Sequence, residues 1–303
     1  MRPTIKVLWL LMLFLLIPSL SIAQYKIDWF SINSGGGSTE AAGSYKMNGT
    51  VGQAEVGVVA TPAYSPDPHI HYIGFWSGDI AQPQQVDSPS EVKLKRDGAY
   101  VAIAGVYATT NYSADFNDKI YIEAGDRSSG IQFYHGQLQI PSVAEGDKVS
   151  VIGTLATRNG ERAIVGSTVT LLAPDTPPIS PLKPLGMQAL AVGGSDFQYN
   201  PETGEGQLGV SQNGLNNIGL LVTVWGAVKG TVMESDGNTY LLLDDGSKPN
   251  APLRIDKSKI GSYPDNSIIQ VTGISSVGYI DSQLVPIVRP RRPADVIQIW
   301  PQP

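Results

Sequence analysis

His69-Ile70-His71 is the one closely spaced pair of histidines in the chain. On a strand both rings would project from one face, which suits a metal ion, and Asp67 offers a third ligand two positions earlier. No fourth ligand is evident, and Pro66 and Pro68 favour a loop. Two exposed histidines in a turn are therefore the simpler expectation, and no metal or other cofactor is expected. Asp244-Asp245-Gly246-Ser247 has the oxygen-rich character of a calcium loop. It lacks the alternating acidic ladder of a dedicated one, and Asp and Gly at these positions also make an ordinary β-turn. Arg289-Pro290-Arg291-Arg292-Pro293 is the strongest basic cluster and could meet an anion. A solvated loop is the simpler expectation there. Lys93-Leu94-Lys95-Arg96 reads as an edge strand guarded by charge.

Ligand-binding candidates of a different kind are aromatic. Tyr121, Phe133, Tyr134, Tyr240 and Trp225 are rings on which a base or a sugar could stack, though several of them are expected in the core instead, and Arg254 is the cation candidate beside them. Nucleic-acid binding needs such rings within a basic groove, because phosphate contacts dominate affinity. The chain has 21 basic and 27 acidic residues. Without the leader described below, 19 face 27 and the net charge is −8, which opposes that use. No G-x-S-x-G elbow is present. His135, beside Tyr134, has no identifiable nucleophile partner. Glu145 and Asp147 read as solvated acids in a turn. The enzyme class is not expected; an extracellular hydrolase stands as the second alternative, after a nucleic-acid-binding protein.

The elements that must position these residues begin after an export leader. Arg2 and Lys6 precede an unbroken apolar run over 7–17, and Ser21-Ile22-Ala23 puts small residues where a signal peptidase reads. Residues 1–23 are therefore read as a signal peptide, and the protein as extracellular or periplasmic. No later segment is apolar enough to span a bilayer. The chain has no cysteine, 33 glycines and 22 prolines, with no long 3.6-residue periodicity. An all-β fold held without disulfides is expected.

Residues 24–80 read as a small aromatic-rich β-module, with Gly35-Gly36-Gly37 as a tight loop and Trp29, Phe30, Phe75 and Trp76 meeting in one core. Residues 80–90 read as a polar linker. A strand pattern then occurs twice: Gly105 and Gly153 lie 48 positions apart, Gly226 and Gly273 lie 47 apart, and Ile140 and Ile260 each precede the second glycine by 13. Five strands are expected over 91–173 (100–106, 119–123, 131–133, 149–155, 162–171). Five more and a tail are expected over 219–300 (220–228, 239–244, 253–255, 268–274, 284–288, 296–299). Five short strands with a glycine bend in the first suit a small closed barrel, which has no exposed edges. The Pro/Gly-rich connection 174–218, with a helical turn at 184–190, is either mobile or packed across both barrels.

Trp29, Ile32, Gly35 to Gly37, Ser38, Tyr45, Gly49-Thr50-Val51-Gly52-Gln53 and Gly74-Phe75-Trp76 resemble a short module of bacterial exported proteins with no assigned activity. Tyr121-Ile122-Glu123, Asp126 to Ile131, Glu145-Gly146-Asp147 and Val151-Ile152-Gly153 resemble the core of a bacterial OB-fold-like family. Gly219 to Val222, Trp225-Gly226, Leu243 to Ser247 and Val271-Thr272-Gly273 match in the same order. Pro184-Leu185-Gly186-Met187 and Asn217-Ile218 resemble exported tandem members. The resemblance implies two OB-like five-stranded barrels, with oligonucleotide, oligosaccharide or protein ligands known for the fold. It departs in one respect: residues 134–146 and 256–266 are too short and too rich in Pro and Gly for the helix many OB-folds place there. The expected role is a non-enzymatic binding or adhesion protein for a glycan or a protein.

Overall fold

The computed structural model describes residues 35–40, 46–51, 57–60, 70–73 and 82–301, less Gln137, 177–181, 211–212 and 248–250. At the N-terminal end β1 (Gly35–Glu40) pairs antiparallel with β2 (Lys46–Val51). A second two-stranded sheet joins β3 (Gly57–Ala60) and β4 (Ile70–Ile73). The glycine triplet expected as a tight loop instead opens β1, with Gly35 opposite Val51 and Gly37 opposite Gly49. Glycine tolerates extended backbone, and a strand partner satisfies its amide and carbonyl. The leader, the four aromatics and the His69–His71 side chains lie outside the described residues. Among those described, no helix is long and apolar enough to cross a membrane.

The expected linker is structured at its end. β5 (Gln84–Val86) runs parallel to β6 (Tyr100–Ala108). Between them Ser88 caps a one-turn helix α1 (Pro89–Lys93), accepting from the Glu91 amide at 3.3 Å, with Pro89 in the first turn. The charged edge strand expected at 93–96 is therefore absent. Lys93 ends α1 and is buried, because the cap and proline start a helix just ahead of it.

β6 is followed by β7 (Lys119–Glu123), β8 (Gly130–Tyr134), β9 (Lys148–Arg158) and β10 (Glu161–Leu171). The order β6-β7-β8-β10-β9 closes through β6–β9, with β8 and β10 parallel and the other pairs antiparallel. Alternation sends Ile103, Ile120, Ile122, Ile131, Phe133, Val151 and Ile164 into one buried core. The expected bend is at Gly105, whose φ of 78° sits at the register shift between Ala104 and Val106.

The connection contributes β11 (Leu185–Gly186), a 3₁₀ turn at Ala189–Ala191, β12 (Phe197–Asn200) and β13 (Glu205–Gln207). Then come β14 (Leu221–Met233), β15 (Thr239–Asp244), β16 (Leu253–Asp256), β17 (Ile268–Ile280), β18 (Gln283–Arg289) and β19 (Val296–Trp300). Their sheet β14-β15-β16-β18-β17 also closes, through β14–β17, with β11 and β19 added outside. Its core holds Val222, Val224, Leu241, Leu243, Ile255, Ile269 and Val271. Here the register shift falls between Val228 and Thr231 rather than at Gly226. Both sheets have arrangements compatible with OB-like barrels, and both belong to one compact unit.

The described part of the connection packs on both barrels. Asp245 accepts from the Ala189 amide at 2.7 Å, and Ser247 from the Leu190 amide at 3.1 Å. Gln207 donates to the Gly160 carbonyl at 2.8 Å and accepts from the Arg162 amide at 2.9 Å. The Asp244–Ser247 segment is a turn: Asp244 accepts from Gly246 N and Asp245 from Ser247 N, each at 2.9 Å. Among the described residues no group of His, Cys, Asp and Glu could hold a metal.

Candidate functional site: a tyrosine-walled pocket beside a polar junction

Residues that alternate with the core on β7 and β8 point out of the first barrel, and this is the face OB-folds use for ligands. Here Tyr121, Glu123 and Gln132 on that face are buried, and the second barrel covers it. Tyr121 packs with Leu221 and Ile274 and meets Phe116 edge-on, ring centroids 5.8 Å apart. Its hydroxyl donates to Glu161 at 2.9 Å. Glu161 also accepts from Ser276 Oγ and from the Val277 amide. Arg289 extends the chain, with Nε on Ser276 Oγ at 2.7 Å and Nη1 on Asp256 at 2.9 Å. Glu123 accepts from the Leu221 amide, while Arg127 bonds Glu123 and the Leu221 carbonyl.

The arginine cluster belongs to the same junction and is not a solvated loop. Arg291 is buried and donates to Asp295, Glu145 and the Thr109 carbonyl. Arg292 bonds Asp115 at 3.0 Å and Glu145 at 2.7 Å. Glu145, read from sequence as a solvated acid, is their shared partner. Acids from both barrels neutralise these cations, Asp115 and Glu145 from the first and Asp295 from the second.

The other candidates are scattered. Phe133 and Tyr240 are fully buried, like Tyr121; Phe133 fills the first core, and Tyr240 donates to Asp236 at 2.6 Å. Tyr134 lies under the Arg158 guanidinium, whose Cζ is 3.6 Å from the ring centroid. Arg254 is engaged by Glu234 at 2.8 Å. His135 is buried beside Tyr112, and neither ring nitrogen has a partner. Burial lowers its pKa below the ordinary value. Trp225 is 54% exposed, in register with Gln270 and Ile297 across β14, β17 and β19.

Two buried titratable groups at the junction set a pH dependence. Burial lowers Lys93, which donates to the Ile218 carbonyl at 2.7 Å, from 10.5 to about 7. Between those values the unfolded chain holds a proton that the folded chain lacks, so Lys93 adds stability as pH rises from about 7 towards 10.5. Burial raises Glu123 from 4.5 to about 7. Its contribution is present below pH 4.5 and is lost as pH rises through about 7. Together they place a stability minimum near neutrality, with an alkaline limb of at most ~5 kcal/mol and an acid limb of at most ~3 kcal/mol. Urea midpoints measured against pH should show Lys93→Met removing the alkaline limb and Glu123→Gln the acid one. Variant profiles parallel to the native one would show that neither group is held as described.

The pocket itself is made where three hairpins meet. Asn159-Gly160 turns β9 into β10 with φ of 49° and 88°, and Asp281-Ser282 turns β17 into β18 with φ of 48° and 63°, both left-handed pairs suited to tight hairpins. The β12–β13 hairpin lies against the first of these. The space enclosed is about 210 Å³, lined by Tyr199, Tyr279, Asp97, Thr157, Arg162 and Gln207. Tyr279 is 50% exposed, whereas Arg162 is buried. Arg162 Nη1 donates to Asp97 at 2.5 Å, to Thr157 Oγ1 at 3.0 Å and to the Gly204 carbonyl at 3.1 Å. Nη2 donates to the Lys95 carbonyl, and Nε has no acceptor. Burial lowers the Arg162 pKa, and Asp97 opposes that shift. The arrangement offers two phenol rings, a carboxylate, a hydroxyl and a guanidinium around a small concavity. Sequence reasoning missed these residues because they come from five separate segments. The one local signal was the Asn-Gly dipeptide at 159–160.

No family model matches the chain, and neither does any curated protein.

Proposed function

We propose that this chain is an exported, non-enzymatic binding protein of the OB-fold-like class, and that its ligand is a glycan held in the Tyr199–Tyr279 pocket. The observation that carries the reading is the pocket's make-up: a half-exposed tyrosine and a second tyrosine beside the Asp97–Thr157–Arg162 group. Rings supply an apolar stacking face, and fixed polar groups orient hydroxyls, as in small-molecule sites generally. The leader at residues 1–23 supports export to the periplasm or the outside. The first barrel's usual ligand face is occupied by the second barrel, which favours a site at the hairpin tips. His135 bonds no hydroxyl, which disfavours the hydrolase alternative. The charge of the mature chain disfavours nucleic acid. A protein ligand is the second reading, favoured by the exposed Trp225 and Ile297 on either side of half-buried Gln270.

The test is a glycan array followed by calorimetry on the mature chain. A glycan that binds should lose about tenfold or more in affinity with Tyr279→Ala, the scale of an aromatic hot spot. Absence of any glycan signal, or binding indifferent to Tyr279→Ala and Tyr199→Ala, would refute the reading. Tight single-stranded DNA binding at physiological salt would replace it with the nucleic-acid alternative.

A further inference from the structure

A second concavity lies where the two barrels meet, away from the tyrosine pocket. It is a cleft of about 480 Å³ between the segment that leads into β7 and the segment that follows β16. Phe116 gives it an apolar wall, and Asn117 and Ser258 give it neutral polar groups. Its charged groups are Lys119, Lys259 and Arg289 against Asp118 and Asp256.

These charges are not equally engaged. Both Asp256 oxygens are occupied, one by the Ser258 amide at 2.9 Å and the other by Arg289 Nη1 at 2.9 Å. Asp118 shares its charge with Lys119, 3.8 Å away. Arg289 uses Nε on Ser276 and Nη1 on Asp256, which leaves Nη2 without an acceptor. Lys259 makes no ion pair among the described residues. The cleft therefore keeps one guanidinium N–H group and one ammonium free for an anion, beside hydroxyl-binding groups and a ring.

We propose that this inter-barrel cleft is a second ligand site, which takes a small monoanionic carboxylate carrying hydroxyls, the chemistry of a uronic sugar. A carboxylate fits one open guanidinium nitrogen and one ammonium. A phosphate dianion is disfavoured, because Asp118 and Asp256 stand in the same cleft and repel a second negative charge. The chain's overall acidity does not forbid the site, since charges beyond about 8 Å are largely screened at physiological ionic strength. The proposal does not depend on the tyrosine pocket, which is built from other elements.

Calorimetric titration of the full mature chain with sodium glucuronate tests it, with glucose and inorganic phosphate as parallel titrants. Glucuronate is expected to bind and glucose not to bind. Lys259→Glu should weaken glucuronate by about tenfold or more, and Asp118→Asn should tighten it severalfold, as local charge dictates. Tyr279→Ala, which removes a wall of the other pocket, should leave glucuronate binding within about twofold. The Lys259→Glu chain is to be checked for a native circular dichroism spectrum and urea midpoint. The proposal is overturned if glucuronate gives no binding heat, if native-like Lys259→Glu binds it within about twofold of the parent, or if phosphate binds as tightly. It is equally overturned if Tyr279→Ala abolishes uronate binding, because the ligand then sits in the tyrosine pocket.

Discussion

Glu161→Ala is expected to cost about 3–5 kcal/mol of stability, the range for removing one member of a buried charged network. Glu161 is buried at the start of β10 and accepts from the Tyr121 hydroxyl, the Ser276 hydroxyl and the Val277 amide. Tyr121 belongs to the first barrel and the other two to the second. Alanine leaves three donors without an acceptor in a buried junction, each carrying an unpaired-group penalty of about 1–3 kcal/mol if nothing relaxes. It also removes the acceptor of Ser276 Oγ, the atom to which Arg289 Nε donates. Glu161→Gln keeps an acceptor oxygen and should cost less than half as much. Urea unfolding of both variants measures the difference. If Glu161→Ala lost under about 1 kcal/mol, the value of an ordinary exposed pair, the network would not be what joins the barrels.

The second large effect is steric. Gly130 and Gly219 meet back to back across the junction, and Gly219 has φ of +92°. A Cβ built on Gly130 would lie 2.7 Å from the Gly219 carbonyl carbon and 3.1 Å from Glu123 Cγ. Backbone cannot give way as a side-chain tip can. Gly130→Val should therefore cost about 3 kcal/mol, at the upper end for overpacking. Because the clash is between barrels and not within either core, calorimetry should show one transition split into two. Gly261→Ala is the matched control: its Cβ would meet nothing within 4 Å, and its effect should stay within about 0.5 kcal/mol. A Gly130→Val chain that melts like Gly261→Ala would mean the two barrels do not need this close approach.

Much of the barrel architecture is legible in the residues themselves. The strands expected at 119–123 and 239–244 are those observed. The others begin within a residue or two of their expected starts, and several run longer than expected. β17 was expected to stop at 274 but continues to Ile280. Past the barrel wall its partner β18 and a small cluster of Tyr240, Ile280 and Ile287 hold it. Such an extension has no apolar alternation of its own to announce it. The buried rings illustrate a second limit. Tyr121 and Ile122 both occur in one strand, and alternation correctly separates their faces. It cannot say that the outward face meets another barrel.

The candidate sites were the least legible part. Tyr199, Asp97, Thr157 and Tyr279 enter one pocket from segments that share no motif, and Arg291 finds Glu145 across 146 positions of chain. A sequence window sees the cluster of positive charge at 289–292 but not the acids opposite it, so a solvated loop was the natural expectation. Likewise Ser88 and Pro89 fall within the stretch read as a linker, and the burial that pulls Lys93 down to about 7 comes from contacts distant in sequence.

Residue order alone determined the periodic strands, the glycine bend of the first barrel, the all-β class and the acidity of the chain, because each follows from neighbours a few positions apart. Only the tertiary structure decided which outward faces are buried, which charges are neutralised and where cavities remain. Those depend on groups brought together from distant parts of the chain, and no local pattern encodes the distance between them.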